Sequence, residues 1–211
     1  MAKYALSPSQ TLASSSGAQQ FQGSTQLDNA KLERFSWINS EDGNLRCWTV
    51  SYWKRKTKGG IHDWFGTYYS DSNRYAHLSW NTSNQLVSKG GVWAGTSGTS
   101  ELWSLITTKK FRDLSGWYHV VLAYDCTQGT AADRMKLYVN GKRITEFSTA
   151  NYPAQNGVSY MSRGGTDWPV YLGGRGSSGA WGGNDDCYMS NAYFIDGAQL
   201  GAEYFGFTDP L

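Results

Sequence analysis

Cysteine and proline are scarce in this sequence, and each scarcity excludes a class of protein. The chain has 3 cysteines and 4 prolines against 25 glycines. Three cysteines without Cys-x-x-Cys spacing argue against a disulfide framework and a zinc site, so we expect Cys47, Cys126 and Cys187 to be buried free thiols. One disulfide among the three stays open as an alternative. Many glycines with few prolines favour a turn-rich all-β fold over a disordered proline-rich chain.

Long apolar runs and a strong excess of one charge are also missing. No stretch reaches the roughly 18 apolar residues of a membrane helix, and residues 1–10 have no apolar core of signal-peptide length. We therefore expect no membrane insertion, and a protein that is either cytosolic or carried out of the cell on a particle. With 19 basic and 17 acidic residues, no nucleic-acid partner is indicated. The densest basic run, residues 54–58, is interpreted as a solvated loop, with contact to an anionic surface as the alternative.

Aromatic residues, in contrast, are abundant: they make up 15% of the chain and include 10 Trp and 14 Tyr. The core of a β-sandwich needs bulky side chains of this kind. On loops, the same rings serve as sugar-stacking platforms or as interface anchors. Both interpretations stay open for any single ring.

Period-two alternation and polar turns predict short strands along most of the chain, and no region shows a sustained helical period. Residues 46–54 carry bulk on both faces, which predicts a strand covered on both sides. Residues 61–69 and 74–80 are predicted to pair across a polar turn. Residues 188–195 are predicted to form a long final strand, with Tyr188, Ser190, Ala192 and Phe194 on one face.

The clearest local signal is a predicted pair of strands, residues 117–126 and 135–140, the second of which ends in Asn140-Gly141. A two-residue type I′ turn needs positive φ at both central positions, and Asn-Gly supplies them. The flanking residues are β-branched or aromatic, as strands prefer. Together with the other short strands, this hairpin predicts two packed antiparallel sheets.

Residues 7–26 are rich in Ser, Gln and Gly and contain no charged residue. Such a segment buries little apolar surface, so we interpret it as an arm. A disordered tail and an anchor that orders on a partner surface are both consistent with this composition. We divide the chain into an N-terminal arm or anchor, residues 1–30, and a β-sandwich domain, residues 31–211.

The C-terminal string from Cys187 to Leu200, which contains Phe194-Ile195-Asp196-Gly197 and is followed by Phe205-Gly206, resembles the closing strand of a known family. It is similar to concanavalin A-like (laminin-G-like) domains of phage virion structural proteins, of the marine and cyanobacterial phage type. The Trp117–His119 strand and the Leu137–Gly141 hairpin fit the same family, and the resemblance runs from residue 31 to residue 208. It implies an all-β, concanavalin A-like jelly-roll β-sandwich of two antiparallel sheets with a flexible N-terminal arm.

Related folds include glucanases, so we tested the sequence for catalytic residues. Glycoside hydrolysis needs two carboxyl groups roughly 5–10 Å apart, but the glutamates are isolated, and Asp185 and Asp186 are adjacent and would point to opposite faces of a strand. His119 has the apolar neighbours Trp117 and Val121 two residues away and is interpreted as a core histidine. No Gly-x-Ser-x-Gly elbow or phosphate-binding loop occurs. We therefore expect no enzymatic activity.

Two loops carry the candidate binding residues, because sugar sites combine an aromatic ring with amide, carboxylate or arginine groups. The predicted ligand-binding residues are Tyr160, Trp168, Arg175, Trp181 and Asn184. Trp181 ranks first because small residues flank it and leave its ring poorly covered, although packing against its own domain is an equal alternative. Loop acids also offer oxygen ligands for Ca²⁺, and Asp167, Asp185 and Asp186 are the candidates, with an ordinary surface turn as the alternative.

These observations and the resemblance lead to one functional hypothesis with two alternatives. We expect a non-enzymatic phage virion protein, a head decoration or fibre component on the virion surface, assembled in the host cytoplasm. Its sandwich would bind host-surface glycans, and its arm would bind other virion proteins of the capsid or fibre. The first alternative is a structural assembly module, for example a homo-oligomer, without sugar binding. The second is a glycoside hydrolase.

Overall fold

The computed structural model describes residues 2–5, 23–31, 33–59, 62–69, 74–93, 99–174 and 186–206. The strands are β1 Ala2–Ala5, β2 Thr25–Leu27, β3 Phe35–Ile38, β4 Cys47–Lys56, β5 His62–Tyr69, β6 Arg74–Trp80, β7 Gln85–Trp93, β8 Thr99–Lys110, β9 Tyr118–Asp125, β10 Met135–Val139, β11 Lys142–Ile144, β12 Phe147–Asn151, β13 Pro169–Leu172 and β14 Cys187–Asp196. One helical turn, α1 Ala131–Arg134, and two 3-10 turns, Asn29–Lys31 and Ala202–Phe205, complete these elements.

The described strands form two antiparallel sheets of seven strands each. Sheet I has the order β1-β14-β4-β9-β10-β11, with β2 also paired to β14, and sheet II has the order β12-β8-β7-β6-β5-β13-β3. Some neighbouring strands follow each other in sequence as hairpins, such as β9-β10-β11. Others, such as β14 and β4, are distant in sequence, as in a sandwich whose sheets are linked by long connections. The predicted all-β sandwich of two antiparallel sheets is confirmed.

Aromatic side chains from both sheets fill the space between them. In sheet I the indole of Trp48 stacks on Tyr124 with ring centroids 5.0 Å apart. Phe65 of sheet II lies 6.1 Å from Tyr52 of sheet I and 6.5 Å from Phe194. Large rings provide much apolar surface per residue and pack well in offset stacks. Many of the abundant aromatic residues therefore belong to the core.

The strand and hairpin predictions around β4, β9 and β10 are confirmed. Almost every residue of β4 is buried, so the strand is covered on both sides. β9 pairs with β10, and β10 pairs with β11 across the predicted Asn140-Gly141 turn. The φ angles are +49° at Asn140 and +75° at Gly141, which are the positive values that the turn type needs.

The interpretation of residues 54–58 as a solvated loop is wrong for its lysines Lys54 and Lys56, which lie in β4 and are fully buried. Their ammonium groups lie 5.0 Å and 5.7 Å from the ring centroid of Trp80. Lys56 Nζ also donates to Asn84 Oδ1 at 2.6 Å and to the Phe111 carbonyl at 3.1 Å. Cation–π contact and hydrogen bonds offset the desolvation that otherwise keeps lysine at the surface.

The predicted alternation along the final strand is wrong in its second half. β14 has a bulge, because Ser190 pairs with Trp53 whereas Tyr193 pairs with Ser51. Asn191 has a φ of +46° at this point. The extra residue reverses the alternation, so Ala192 and Phe194 join the core instead of sharing a face with Tyr188 and Ser190.

The outer face of sheet I has an apolar cluster of its own. Val121, Ala202 and Phe205 are its buried members, with Tyr193 among the half-buried residues around it. Thr49 Oγ1 donates to the Ala198 carbonyl at 2.7 Å and accepts from the Leu200 amide at 2.9 Å. The segment after β14 therefore covers this sheet and buries both of its faces.

Sheet residues also occur on the N-terminal side of residue 31. β1 and β2 both pair with β14, and Leu27 is part of the main core. Residues 6–22 of the predicted arm lie outside the described residues. A 3-10 turn occupies Asn29–Lys31, and the next strand, β3, begins at Phe35.

None of the three cysteines, all of them among the described residues, forms a disulfide, and Cys126 and Cys187 are buried as expected, whereas Cys47 is half-buried. Burial raises the pKa of the Cys47 thiol to about 11. Among the described residues, no helix has the length and apolarity needed to cross a bilayer.

Candidate ligand-binding site

Four side chains meet at one end of the sandwich, and we call them the rim cluster: Tyr69, Arg74, Tyr160 and Trp168. The indole of Trp168 stacks on Tyr69 at 4.7 Å between centroids and on Tyr160 at 5.4 Å. The guanidinium of Arg74 lies 5.7 Å from the ring centroid of Tyr160. The three rings are half-buried and the arginine is exposed.

Two elements bring these residues together. Tyr69 ends β5 and Arg74 begins β6, and the antiparallel register pairs the two directly. Tyr160 and Trp168 come from the long irregular connection between β12 and β13, residues 152–168. The fold therefore places a sheet hairpin beside a loop, and neither element alone could form the cluster.

The loop holds its shape because its backbone is bonded to the segment before β4. The Gly165 amide donates to the Asn39 carbonyl, the Gly43 amide to the Ser162 carbonyl and the Ser159 amide to the Leu45 carbonyl, each at 2.8 Å. Met161 is fully buried in the core and pins the middle of the loop. A loop anchored in this way is preorganised for binding, because a ligand need not order it.

Asp42 adds a charged contact to this anchoring. Its carboxylate accepts from Arg163 Nη1 at 2.7 Å and from the Gly164 amide at 2.8 Å. Gly165 has a φ of +97°, which a glycine adopts without strain. The Trp168 amide then donates to the Gly165 carbonyl at 3.1 Å, so this turn sets the position of the indole.

The rim cluster is suited to contact with a sugar. Partly exposed rings offer flat apolar faces and edges to the C–H groups of a pyranose, and an exposed guanidinium donates hydrogen bonds to hydroxyl or carboxylate oxygens. The mutual stacking covers part of each ring, and the same packing locks the rotamers. The result is a rigid, mixed aromatic and cationic surface.

The structure describes two of the five predicted binding residues. Tyr160 and Trp168 lie in direct contact, as parts of one cluster. Arg175, Trp181 and Asn184 lie outside the described residues. Tyr69 and Arg74 were missed by sequence reasoning. Their position on either side of residues 70–73, a predicted polar turn between two strands predicted to pair, marks them as neighbours.

The candidate calcium ligands are in different surroundings. Asp186 forms an ion pair with Lys58, and its carbonyl accepts from Thr57 Oγ1 at 2.6 Å. Asp167 is exposed beside Trp168, and Asp185 lies outside the described residues. Within the described ranges, no group of three or more His, Cys, Asp or Glu side chains is placed to hold a metal ion. The calcium site stays a prediction.

The glutamates lie on separate elements. Glu101 is in β8 and pairs with Lys89 of β7 at 2.5 Å, whereas Glu33 precedes β3 and accepts from the Asp28 amide at 3.0 Å. Glu41 lies before β4, Glu146 between β11 and β12, and Glu203 in the last 3-10 turn. None of the described strands carries two glutamates on one face.

One Ser–His pair has the distance of a nucleophile and its base. Ser51 Oγ and His119 Nε2 lie 2.9 Å apart on the outer face of sheet I. Both residues are buried, at 0% and 1% exposure, and His119 stacks on Trp53 at 4.7 Å. A substrate could not reach this hydroxyl, so the pair is structural. The predicted burial of His119 is confirmed, although the residue lies on the outer face of sheet I and not in the main core.

Comparison with solved structures identifies the fold. Domains LG4-5 of the mouse laminin α1 chain superpose with a TM-score of 0.55 at 14% identity, over 86% of this chain and 45% of that one. The CBM40 of a Ruminococcus gnavus IT-sialidase, solved with α2,3-sialyllactose, superposes with a TM-score of 0.52 at 14% identity, over 82% of this chain and 96% of that one. A native heptameric SAP-like pentraxin from Limulus polyphemus superposes with a TM-score of 0.50 at 16% identity, over 76% of this chain and 69% of that one.

A sialidase from Trypanosoma rangeli in complex with the inhibitor DANA also superposes, with a TM-score of 0.51 at 16% identity, over 90% of this chain. The chain spans only 27% of that enzyme's length. At these identities the likeness concerns the fold alone. A comparison with curated proteins gave no match.

The family comparison is more specific. The family model described as the concanavalin A-like lectin/glucanases superfamily matches residues 14–186, which is most of the chain. The match agrees with the two antiparallel sheets described above. The chain belongs to the concanavalin A-like lectin/glucanase superfamily.

Proposed function

We propose that this chain is a non-enzymatic glycan-binding protein of a phage virion, a head decoration or a fibre component that attaches to host-surface sugars. The observation that carries the glycan part is the rim cluster, in which two tyrosines, a tryptophan and an arginine form one partly exposed surface. The inaccessible Ser51–His119 pair and the separated glutamates support a binding role rather than hydrolysis.

The binding energy of one such cluster is small. Stacking contributes about 0.5–1.5 kcal/mol beyond area burial in aromatic pairs, and exposed hydrogen bonds add little. Many copies on one particle raise the overall affinity by avidity, without a strong single site. The proposal therefore combines weak recognition with repeated display.

The virion part of the proposal is supported by the motif resemblance to phage structural proteins. Residues 1–30 would contribute the anchor to other virion proteins of the capsid or fibre, although β2 and Leu27 within this range pack on the displayed domain of residues 31–211. The protein would then assemble in the host cytoplasm and reside on the virion surface. Immunogold electron microscopy of intact particles tests this part, and the absence of label on any particle would contradict it.

The glycan part is tested by Trp168→Ala. Loss of the central ring of the cluster should weaken binding to any glycan that the wild-type protein retains on an array by about tenfold. Trp168→Phe should show an intermediate loss, because it keeps one ring. Isothermal titration with the best array glycan measures both, and sialyllactose is a sensible first probe because the CBM40 was solved with it.

The control for this experiment is Tyr204→Ala, which removes a ring that is 62% exposed and lies in the C-terminal 3-10 turn. Its glycan binding should equal that of the wild type. Equal binding by Trp168→Ala and the wild type would remove the rim cluster as the site.

The second candidate function is a structural assembly module without sugar binding. Four large apolar side chains favour it, because they are exposed at 38% to 62%: Ile38, Leu102, Leu114 and Tyr204. Such residues become buried when subunits associate. Loss of assembly in Ile38→Ser or Leu102→Ser, with no glycan binding by the wild type, would select this function.

A further inference from the structure

A second concave surface, which shares no residue with the rim cluster, lies where the end of β8 and the following residues meet the β10–β11 hairpin. The cleft there has a volume of about 400 Å³. Its cations are Lys109, Lys110, Arg112 and Lys142, all exposed. We call this surface the basic cleft.

The floor of the basic cleft is apolar. It includes Phe111 and Tyr118, which are 3% and 8% exposed, and Val139, which is 7% exposed. Lys109 Nζ lies 5.7 Å from the ring centroid of Phe111, so one cation lies over an aromatic face. An apolar floor with a cationic rim fits a ligand that has an apolar face and an anionic substituent.

The walls of the basic cleft are held in place. The Phe111 amide donates to the Asn84 carbonyl at 2.7 Å, and the Phe111 carbonyl accepts from buried Lys56 at 3.1 Å. Tyr118 Oη donates to the Asp113 carbonyl at 3.1 Å. On the opposite wall, Asn140 exchanges two hydrogen bonds of 2.8 Å with the backbone of His119. The cleft is therefore preorganised.

The one acidic residue of the cleft, Asp113, offsets only part of the charge of its four cations. The Asp113 carboxylate accepts from the Ser115 amide at 2.8 Å and from Ser115 Oγ at 2.7 Å. These hydrogen bonds lower the pKa of Asp113 and keep it in its own turn. Among the described residues, no acidic side chain forms an ion pair with Lys110, Arg112 or Lys142.

We propose that the basic cleft binds an anionic sugar unit, a uronate or a sulfated sugar within an acidic polysaccharide. The sugar ring would lie on the apolar floor, and its carboxylate or sulfate would accept hydrogen bonds from the rim cations. The proposal rests on glycan recognition as the function of this domain, and it adds a second site with its own substrate class.

An acidic polysaccharide fits the cleft better than a nucleic acid does. Single-stranded nucleic acids bind along grooves that follow the backbone over several nucleotides and stack successive bases on a row of aromatic rings, whereas the basic cleft is a single concavity of about 400 Å³. Duplexes need an extended basic face, and the net charge of the whole chain is only +2. Four of the 19 basic residues line this cleft, and they form a local cationic rim rather than an extended basic face.

The test uses the full chain and four probes: alginate as a polyuronate, heparin as a sulfated polysaccharide, neutral dextran, and a duplex DNA. Affinity electrophoresis or isothermal titration at low salt measures binding. The cleft variant is the double substitution Lys110→Gln and Lys142→Gln. The matched control, Lys31→Gln and Lys89→Gln, removes the same charge from surfaces outside the cleft. Urea unfolding confirms that both variants fold.

We expect the wild type to bind alginate or heparin but not dextran, with an affinity that falls as salt rises. The cleft variant should bind about tenfold more weakly, because two cation–anion contacts are lost, and the control should match the wild type. An equal loss in the control would overturn the proposal, since net charge would then explain binding. Tighter cleft-dependent binding to the DNA would overturn it in favour of a nucleic acid.

The two proposals fail independently. If no anionic polysaccharide binds while an array glycan binds and depends on Trp168, the cleft proposal fails and the proposed function stands. If alginate or heparin binding depends on Lys110 and Lys142 while Trp168→Ala changes nothing, the rim cluster fails and the cleft stands.

Discussion

His119 shows how one side chain responds to burial. Its ring stacks on Trp53, its Nε2 lies 2.9 Å from Ser51 Oγ, and its exposure is 1%. Burial without a charged partner lowers the pKa of His119 to about 4, from the usual 6.5. The imidazole is therefore neutral at pH 7 in the folded protein.

A pH dependence of stability follows from this shift. Between pH 6.5 and pH 4 the unfolded chain binds a proton at residue 119 and the folded chain does not, so the free energy of unfolding falls as the pH decreases through this range. The loss approaches about 3 kcal/mol at pH 4. Urea unfolding of the wild type and of His119→Gln at several pH values measures it.

The difference between the two proteins isolates the histidine, because the carboxylates titrate in both. The stability advantage of the wild type over His119→Gln should shrink steadily as the pH falls from 7 to 4. A difference that is constant over this range would contradict the buried neutral state.

At the scale of an element, Asn140 of the β10–β11 hairpin has two structural roles, one through its backbone conformation and one through its side chain. Asn140 adopts a φ of +49°, which asparagine tolerates better than most residues. Its side-chain Oδ1 also accepts from the His119 amide at 2.8 Å, which ties the turn to β9. The turn thus sets its own geometry and the register of the neighbouring strand.

Two substitutions separate these roles. Asn140→Gly keeps the backbone freedom and loses the side-chain acceptor, which should lower the free energy of unfolding by about 1–3 kcal/mol. Asn140→Ala loses the acceptor and adds about 1–2 kcal/mol for left-handed backbone strain. Chemical denaturation should therefore give the highest free energy of unfolding for the wild type, a lower one for Asn140→Gly and the lowest for Asn140→Ala. Equal stability of the two variants would show that backbone strain is unimportant here.

At the scale of the molecule, sheet I lies between two apolar clusters. The main core fills the space between the sheets, and the second lies on the outer face beneath the segment after β14. Phe205 of this segment contacts Tyr193 with ring centroids 5.9 Å apart and is 9% exposed. The covering segment explains why Val121 is buried although it points away from the main core.

Phe205→Ala should open this second cluster. We expect a loss of about 3 kcal/mol in the free energy of unfolding and faster amide exchange in β9 and β14, because their covered face gains access to water. Tyr204→Ala, next to it and 62% exposed, is the matched control and should cost less than about 0.5 kcal/mol. A similar loss in both variants would show that the segment does not seal the sheet through Phe205.

Local features of the sequence determined much of the fold. The Asn140-Gly141 turn, the two-sided burial of β4 and the burial of His119 were predicted correctly, because neighbouring residues alone set them: a turn needs positive φ, and bulk on alternate positions needs cover on both faces. The resemblance, which rested on the Trp117–His119 strand, the Leu137–Gly141 hairpin and the C-terminal string, led to the superfamily whose model matches residues 14–186.

Only the tertiary structure decided the remainder. Lys54 and Lys56 are buried because Trp80 of another sheet lies beneath them, and a bulge at Asn191 reverses the alternation of β14. The rim cluster joins a hairpin to a loop some 90 residues away, and the basic cleft joins the end of β8 to a later hairpin. Local periodicity specifies which side of a strand a residue faces, but the partner on that side comes from distant parts of the chain, and only packing in three dimensions selects it.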